Sequence, residues 1–185
     1  RPIPNLVIAS PLNELDLRNL MYTGYAAFNG PFVIRYPRGK GEMKDWRNEM
    51  QVLPIGKGKK LRDGDDIAVL SIGPIGNEVI KAIEMVKEEG VSIAHYDMIY
   101  LKPLDEELLH EIGRKYNRII TVENGVIKGG FGSAVLEFMA DNGYTPHVKR
   151  IGVPDAFIEH GSIPELYQLC GMDAESIAKQ LKKEN

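Results

Sequence analysis

The sequence predicts an α/β fold, a parallel or mixed sheet sandwiched by helices, and three observations carry that prediction. Short apolar runs recur at residues 6–9, 32–36, 67–72, 91–96, 118–122 and 148–151. Between them lie stretches whose apolar residues fall at helical spacing. Glycine and proline punctuate short connections, and repeated strand–helix alternation with short loops implies a sheet covered on both faces.

In chain order, Leu6-Val7-Ile8-Ala9 reads as a strand. Ser10-Pro11 is a cap-plus-proline start signal, and over residues 12–25 the apolar residues Leu17, Leu20, Met21 and Tyr25 suggest a helix. Asn29-Gly30-Pro31 turns the chain into the strand 32–36, which Pro37 ends because proline has a fixed φ and no N–H to donate. These elements form one right-handed strand–helix–strand unit, too small to be stable by itself. Residues 40–60 are polar and rich in Gly and Lys, apart from Trp46 and the patch Val52-Leu53-Pro54-Ile55, so they read as a linker. Asp63-Gly64-Asp65 is a turn, 67–72 a buried strand, and Gly73-Pro74 opens a helix with Val79, Ile80, Ile83 and Val86 that Gly90 closes. The strand 91–96 follows. Pro103 and three acids at 105–107 suit a helix N-terminus, and that helix runs to about Tyr116. A strand at 118–122, a loop at 123–130, a helix at 131–141, a strand near 148–151 and helices at 164–170 and 174–183 complete the chain. The expected organisation is the end of one domain at 1–42, a linker at 43–62 and a complete domain at 63–185.

Composition narrows the function. The 185 residues are 43% hydrophobic and 26% charged, as in ordinary globular proteins. Residues 1–60 carry ten Lys and Arg against five Asp and Glu, whereas the remainder carries thirteen against twenty-one. No basic run with interleaved aromatics exists and the net charge is −3, which argues against nucleic acid as a partner. No apolar stretch approaches the roughly 20 residues needed to span a bilayer, and no signal peptide precedes the first strand, so no membrane association and a cytoplasmic location are expected. Arg1 is not an initiator methionine, and the chain reads as entering in mid-domain.

The candidate functional residue is Arg38, in Arg35-Tyr36-Pro37-Arg38-Gly39. It lies at the carboxyl end of a strand, where α/β proteins bind ligands, and a guanidinium grips a phosphate or carboxylate through two parallel hydrogen bonds. The plainer alternative is a surface arginine in a weak ion pair. Gly129-Gly130-Phe131-Gly132-Ser133 at a helix N-terminus, with the loop Glu123-Asn124-Gly125, could cradle an anion. A tight structural turn is the preferred reading, since the loop follows a late strand and Val135 stands where a dinucleotide fingerprint takes Gly or Ala. No P-loop sequence is present. His95, His110, His147 and His160 never reach metal-ligand spacing. Among them His160 is the best titratable candidate, although a loop or interface role suits it better, because no nucleophile or second base accompanies it. Cys170, with Leu166 and Leu169 on a helix face, reads as a buried inert thiol.

The runs Ile3-Pro4-Asn5-Leu6-Val7-Ile8, Tyr22-Thr23-Gly24-Tyr25, Gly30-Pro31 through Gly39, and Leu53-Pro54-Ile55-Gly56-Lys57-Gly58 carry a resemblance. So do Lys102-Pro103-Leu104-Asp105, Thr121-Val122-Glu123-Asn124, Gly129 to Ser133, and Gly152-Val153-Pro154-Asp155 with Phe157-Ile158. Together, in order over nearly the whole chain, they resemble the 1-deoxy-D-xylulose-5-phosphate synthases of the transketolase superfamily. The resemblance implies a homodimeric thiamine-diphosphate and Mg2+ transferase that decarboxylates pyruvate and joins the two-carbon fragment to D-glyceraldehyde 3-phosphate, feeding isoprenoid, thiamine and pyridoxal synthesis. It also implies that Arg38 binds the phosphate of the acceptor aldehyde. By the same resemblance the cofactor and metal sites lie upstream of Arg1, so the chain is expected to be the end of a pyrimidine-binding domain plus the whole C-terminal domain. Alone, it is then expected to be inactive and to bind no thiamine diphosphate. The alternatives are an assembly or regulatory binding module, or the corresponding part of a transketolase or of a 2-oxo acid dehydrogenase beta subunit.

Overall fold

A computed structural model describes residues 1–39, 41 and 43–182. The expected linker start at Lys40, the domain limit at Glu42 and the helix end at Lys183 lie outside the described residues. In order, the elements are β1 (Val7–Ala9), α1 (Glu14–Ala26), β2 (Phe32–Ile34), β3 (Lys59–Arg62), β4 (Ile67–Ile72), α2 (Gly76–Met85), β5 (Ile93–Asp97), β6 (Tyr100–Lys102), α3 (Glu106–Lys115), β7 (Arg118–Val126), α4 (Phe131–Asp141), β8 (His147–Val153), α5 (Ile163–Leu169) and α6 (Ala174–Leu181).

The main sheet has the order β3-β5-β4-β7-β8, parallel except for β3. Strand β4 lies at its centre and is buried at all six positions, as a strand covered on both faces must be. Because successive side chains alternate, Ile67 and Val69 meet Val79, Ile83, Ile177 and Leu181 of α2 and α6, while Ala68 and Leu70 meet Leu109, Ile112, Val135 and Met139 of α3 and α4. Asp105 caps α3 by accepting from the Leu108 N–H at 3.2 Å, so the acids read as a helix start do act as one. A turn of 3₁₀ helix after α2 ends at Gly90, whose φ of 70° is the left-handed conformation glycine takes freely. Ile80, expected on the buried face of α2, is exposed.

A second sheet of order β2-β1-β6 joins the two N-terminal strands to a segment from the middle of the chain. β1 and β2 pair in parallel, Val7 opposite Phe32 to Ala9 opposite Ile34, and β6 adds an antiparallel edge from beyond β5. Sequence patterning showed neither β3 nor β6. The former is Lys-Lys-Leu-Arg at a sheet edge, where charge is the usual protection against stray pairing, and it falls inside the segment read as linker. The latter has three residues, too few to establish a period. Among the limits that move, β2 stops at Ile34, short of Tyr36, and β7 runs on to Val126 through residues expected in a loop.

Helix α1 differs most from expectation. Its N-cap is Asn13, whose Oδ1 accepts from the Asp16 N–H at 2.9 Å, and Ser10 serves elsewhere. Met21 and Tyr25, expected inward, are 61% and 89% exposed. The buried stripe instead carries Asp16, Asn19 and Thr23 beside Leu20. Asn19 Oδ1 accepts from Gln51 N–H at 3.0 Å, Thr23 Oγ1 from Leu53 N–H at 2.8 Å, and Asp16 Oδ1 from Lys59 Nζ at 2.6 Å. The stretch that approaches β3 is thus laced to α1 by its own backbone, whose buried N–H groups need acceptors. Among the described residues, no helix is long and apolar enough to cross a membrane.

Candidate functional site

The carboxyl ends of β1, β4 and β7 face one another across a cavity of about 300 Å³ lined by Ser10, Arg35, Ile72, Leu101, Asn124 and Phe131, among others. Such a crevice beyond strand ends is where α/β folds place ligands. Arg35 emerges from the end of β2 with its backbone N–H on Ala9 O at 2.8 Å, and its carbonyl accepts the Ser10 hydroxyl at 2.8 Å. Its guanidinium reaches across to β7, donating through Nη1 to Asn124 Oδ1 and through Nη2 to Asn124 O at 2.6 Å.

Arg38 lies three residues further on, past Pro37. It is exposed and makes no hydrogen bond or ion pair among the described residues. Nothing lies within 4 Å of where a Cβ on Gly39 would stand, so no neighbour in this chain requires glycine there. Arg38 does not line the cavity; of the two arginines, Arg35 does.

The Gly129-Gly130 loop resolves into a turn with its anion already built in. Glu123, 5% exposed, aims its carboxylate at the start of α4, where Oε2 accepts from Phe131 N–H at 2.8 Å and Oε1 from Gly132 N–H at 2.9 Å. Those are the N–H groups a helix leaves unpaired and offers to anions, and here a side chain of the preceding strand takes them. Gly129 has φ of 74° and hands its N–H to Ser133 Oγ at 2.9 Å, and a Cβ on Gly130 would strike Glu123 and the carbonyl of Val126. Both glycines are explained by the turn itself.

The other candidates separate. His160 is exposed in the loop after β8 and does not line the cavity. His95 is buried against the Ser71 hydroxyl at 2.8 Å, and burial pulls its pKa down to about 4, so it is neutral at pH 7. His110 Nδ1 meets Tyr144 Oη at 3.0 Å with its ring edge-on to Phe138, and His147 lies exposed at the start of β8. Cys170 is half-buried rather than buried, and Leu169, placed on the same face by the sequence, is 68% exposed. Among the described residues no group of three or more His, Cys, Asp or Glu side chains could hold a metal ion.

Two features went unread in the sequence. Asp97 is wholly buried at the end of β5, where Oδ1 accepts from Ile99 N–H at 3.3 Å and Oδ2 has no partner among the described residues; desolvation lifts its pKa to about 7, and the Asp16 charge adds to that. Ile99, with φ of 54°, is held in a conformation that β-branched residues rarely adopt, and its carbonyl accepts from Ser10 N–H at 2.8 Å. An acid between two apolar runs in His-Tyr-Asp-Met was the only signal for the first, and nothing in the sequence signals the second.

The family model described as "Transketolase, C-terminal domain" matches residues 56–177. The chain is 98% identical over all 185 residues to a 1-deoxy-D-xylulose-5-phosphate synthase of Parabacteroides distasonis, covering 29% of that protein. It is 62% identical to the protein of that name from Bacteroides thetaiotaomicron, again over 29% of its length, and 44% identical over 182 residues to that from Syntrophotalea carbinolica, covering 28%. It therefore spans less than a third of the curated relatives it matches. A solved structure titled "Split gene transketolase, inactive beta4 tetramer" superposes with a TM-score of 0.80 at 28% identity, over 99% of this chain and 60% of that one. With the family model running from before β3 to beyond β8, and so across every strand of the five-stranded sheet, the chain belongs to the transketolase C-terminal domain family.

Proposed function

We propose that this chain is the C-terminal part of a 1-deoxy-D-xylulose-5-phosphate synthase, a thiamine-diphosphate transferase of isoprenoid synthesis that condenses pyruvate, with loss of CO2, and D-glyceraldehyde 3-phosphate. The observation that carries the reading is the 98% identity, over the whole chain, to a protein of that name. Residues 1–42 are read as the end of the pyrimidine-binding domain and 43–62 as the connection to the C-terminal domain at 63–185, with β3 the point where the connection joins the sheet.

Arg38 is the residue proposed to act on substrate. Exposed and free of partners among the described residues, its fork is available to a dianionic phosphate. Holding the phosphate fixes the aldehyde carbon without touching it, so binding at a remote group is used for orientation. Glu123 takes the free N–H groups at the start of α4, so that helix terminus is closed to an outside anion. Thiamine diphosphate, which supplies the carbanion chemistry, and Mg2+ are assigned to the remainder of the longer protein, as are the cytoplasmic location and homodimeric state that belong to the same reading.

In the full-length protein, Arg38→Ala raises KM for D-glyceraldehyde 3-phosphate by about tenfold or more and leaves KM for pyruvate within about twofold. An unchanged KM for the aldehyde refutes the role of Arg38. The 185-residue chain by itself turns over no pyruvate; measurable product from it would refute the division of labour.

A further inference from the structure

We propose that Arg35 is a positioning residue for Arg38, and that Asn124 is the socket that holds it. The inference rests on the reading of Arg38 as the phosphate-binding group.

Arg35 is the last anchored residue before Arg38. Its N–H, carbonyl and guanidinium are bound to Ala9, Ser10 and Asn124, and residues 36–39 make no hydrogen bond or ion pair among the described residues. The next tie along the chain, again among the described residues, is Met43 N–H to Glu14 Oε2 at 3.2 Å. Three residues of extended chain span at most about 11 Å, and Pro37 removes one of the free dihedrals between the two arginines, so a fixed Arg35 confines where Arg38 can be.

The socket is rigid for separate reasons. Asn124 follows Glu123, whose carboxylate is locked on two backbone N–H groups of α4. The Asn124 amide donates through Nδ2 to Tyr167 Oη at 3.4 Å, which turns Oδ1 toward the guanidinium. Two acceptors on one residue, the side-chain Oδ1 and the main-chain O, match the planar fork of arginine, a geometry lysine cannot reproduce. Because β2 belongs to the small sheet and β7 to the large one, the clamp carries the orientation of the large sheet to the residue proposed to hold the phosphate.

The test uses the full-length enzyme and two readouts. By hydrogen–deuterium exchange, Arg35→Ala speeds exchange of the amide at position 35, which is bonded to Ala9 O, by about tenfold, and Asn124→Ala does so less, since the main-chain acceptor remains. This readout needs no assumption about substrate, and unchanged exchange in both variants overturns the clamp. In kinetics, Arg35→Ala raises KM for D-glyceraldehyde 3-phosphate about tenfold with KM for pyruvate within about twofold, and Arg35→Lys does not restore it. On an Arg38→Ala background the same change adds less than about twofold, because a residue acting through another cannot act when that one is gone. An equal effect on both backgrounds overturns the positioning role. If Arg38→Ala itself leaves KM for the aldehyde unchanged, the phosphate reading fails and the positioning role falls with it, while exchange still decides whether the clamp exists.

Discussion

Helices α1 and α3 each lie against a sheet, yet they bury opposite kinds of surface. α3 places Leu109 and Ile112, both wholly inaccessible, on the large sheet and leaves its charges outside. α1 turns Asp16, Asn19 and Thr23 inward around Leu20 and leaves Met21 and Tyr25 in the open. The first is held by apolar area, which any well-shaped neighbour supplies. The second is held by named acceptors for named donors at Gln51, Leu53 and Lys59, so its seat depends on one register of the chain that passes it. Apolar patterning therefore describes the C-terminal domain well and the N-terminal unit poorly.

The largest effect expected from breaking this contrast lies on the apolar side. Ile112→Ala empties a fully packed site between α3 and the sheet, and denaturant unfolding should show a loss of about 2–5 kcal/mol. A loss below about 1 kcal/mol would mean that α3 is not held by its apolar face.

The seam between the two regions is sharpened by pH. Asp97, at the end of β5, is held near pKa 7 mainly by desolvation and secondarily by Asp16 of α1, with the Ile99 N–H and Lys59 opposing. Its folded pKa lies above its unfolded value near 3.8, so the folded state holds the extra proton and stability falls as pH rises from about 4 to 7. His95, two residues away on the same face of β5, has the opposite sign. Burial lowers its folded pKa to about 4, the unfolded chain holds the proton between about 4 and 6.5, and stability rises with pH across that window. The two slopes oppose each other in the native protein. Asp97→Asn should expose the histidine slope, a gain on the order of 3 kcal/mol between pH 4 and 6.5, at roughly 1.4 kcal/mol per pKa unit. A flat profile in the variant would count against the histidine assignment.

The smallest effect is on the polar side. Thr23→Val keeps shape but leaves the Leu53 N–H without its acceptor, and a loss of about 1–3 kcal/mol is expected, with faster amide exchange concentrated at residues 51–53. Uniform acceleration through β4 and α3 would show instead that the two regions open as one unit.

Much of the large sheet was legible before any coordinates. β4 and α4 fall where the residues placed them, at 67–72 and 131–141, because a central strand is apolar throughout and α4 follows a turn with obligatory glycines. Arg38 also lies beyond the end of a strand, although that strand stops at Ile34 and not at Pro37. What escaped was whatever needs a distant partner. β3 and β6 exist only because β5 and β1 stand beside them; by composition they read as charged or broken chain. The face that α1 buries is set by the backbone of residues 51–53, not by its own apolar residues. Glu123 gave no sign that it would occupy the helix terminus its own loop seemed to offer to a ligand.

By itself, then, the sequence determined the alternation of strands and helices, the buried apolar faces of the C-terminal domain and the exposed arginine at a strand end, since each follows from side-chain periodicity or from the covalent limits of proline and glycine. The tertiary structure alone decided which polar groups answer one another. Arg35 finds Asn124 across 89 positions of chain, and a hydrogen bond over that separation depends on how two sheets are set in space, which no local pattern encodes.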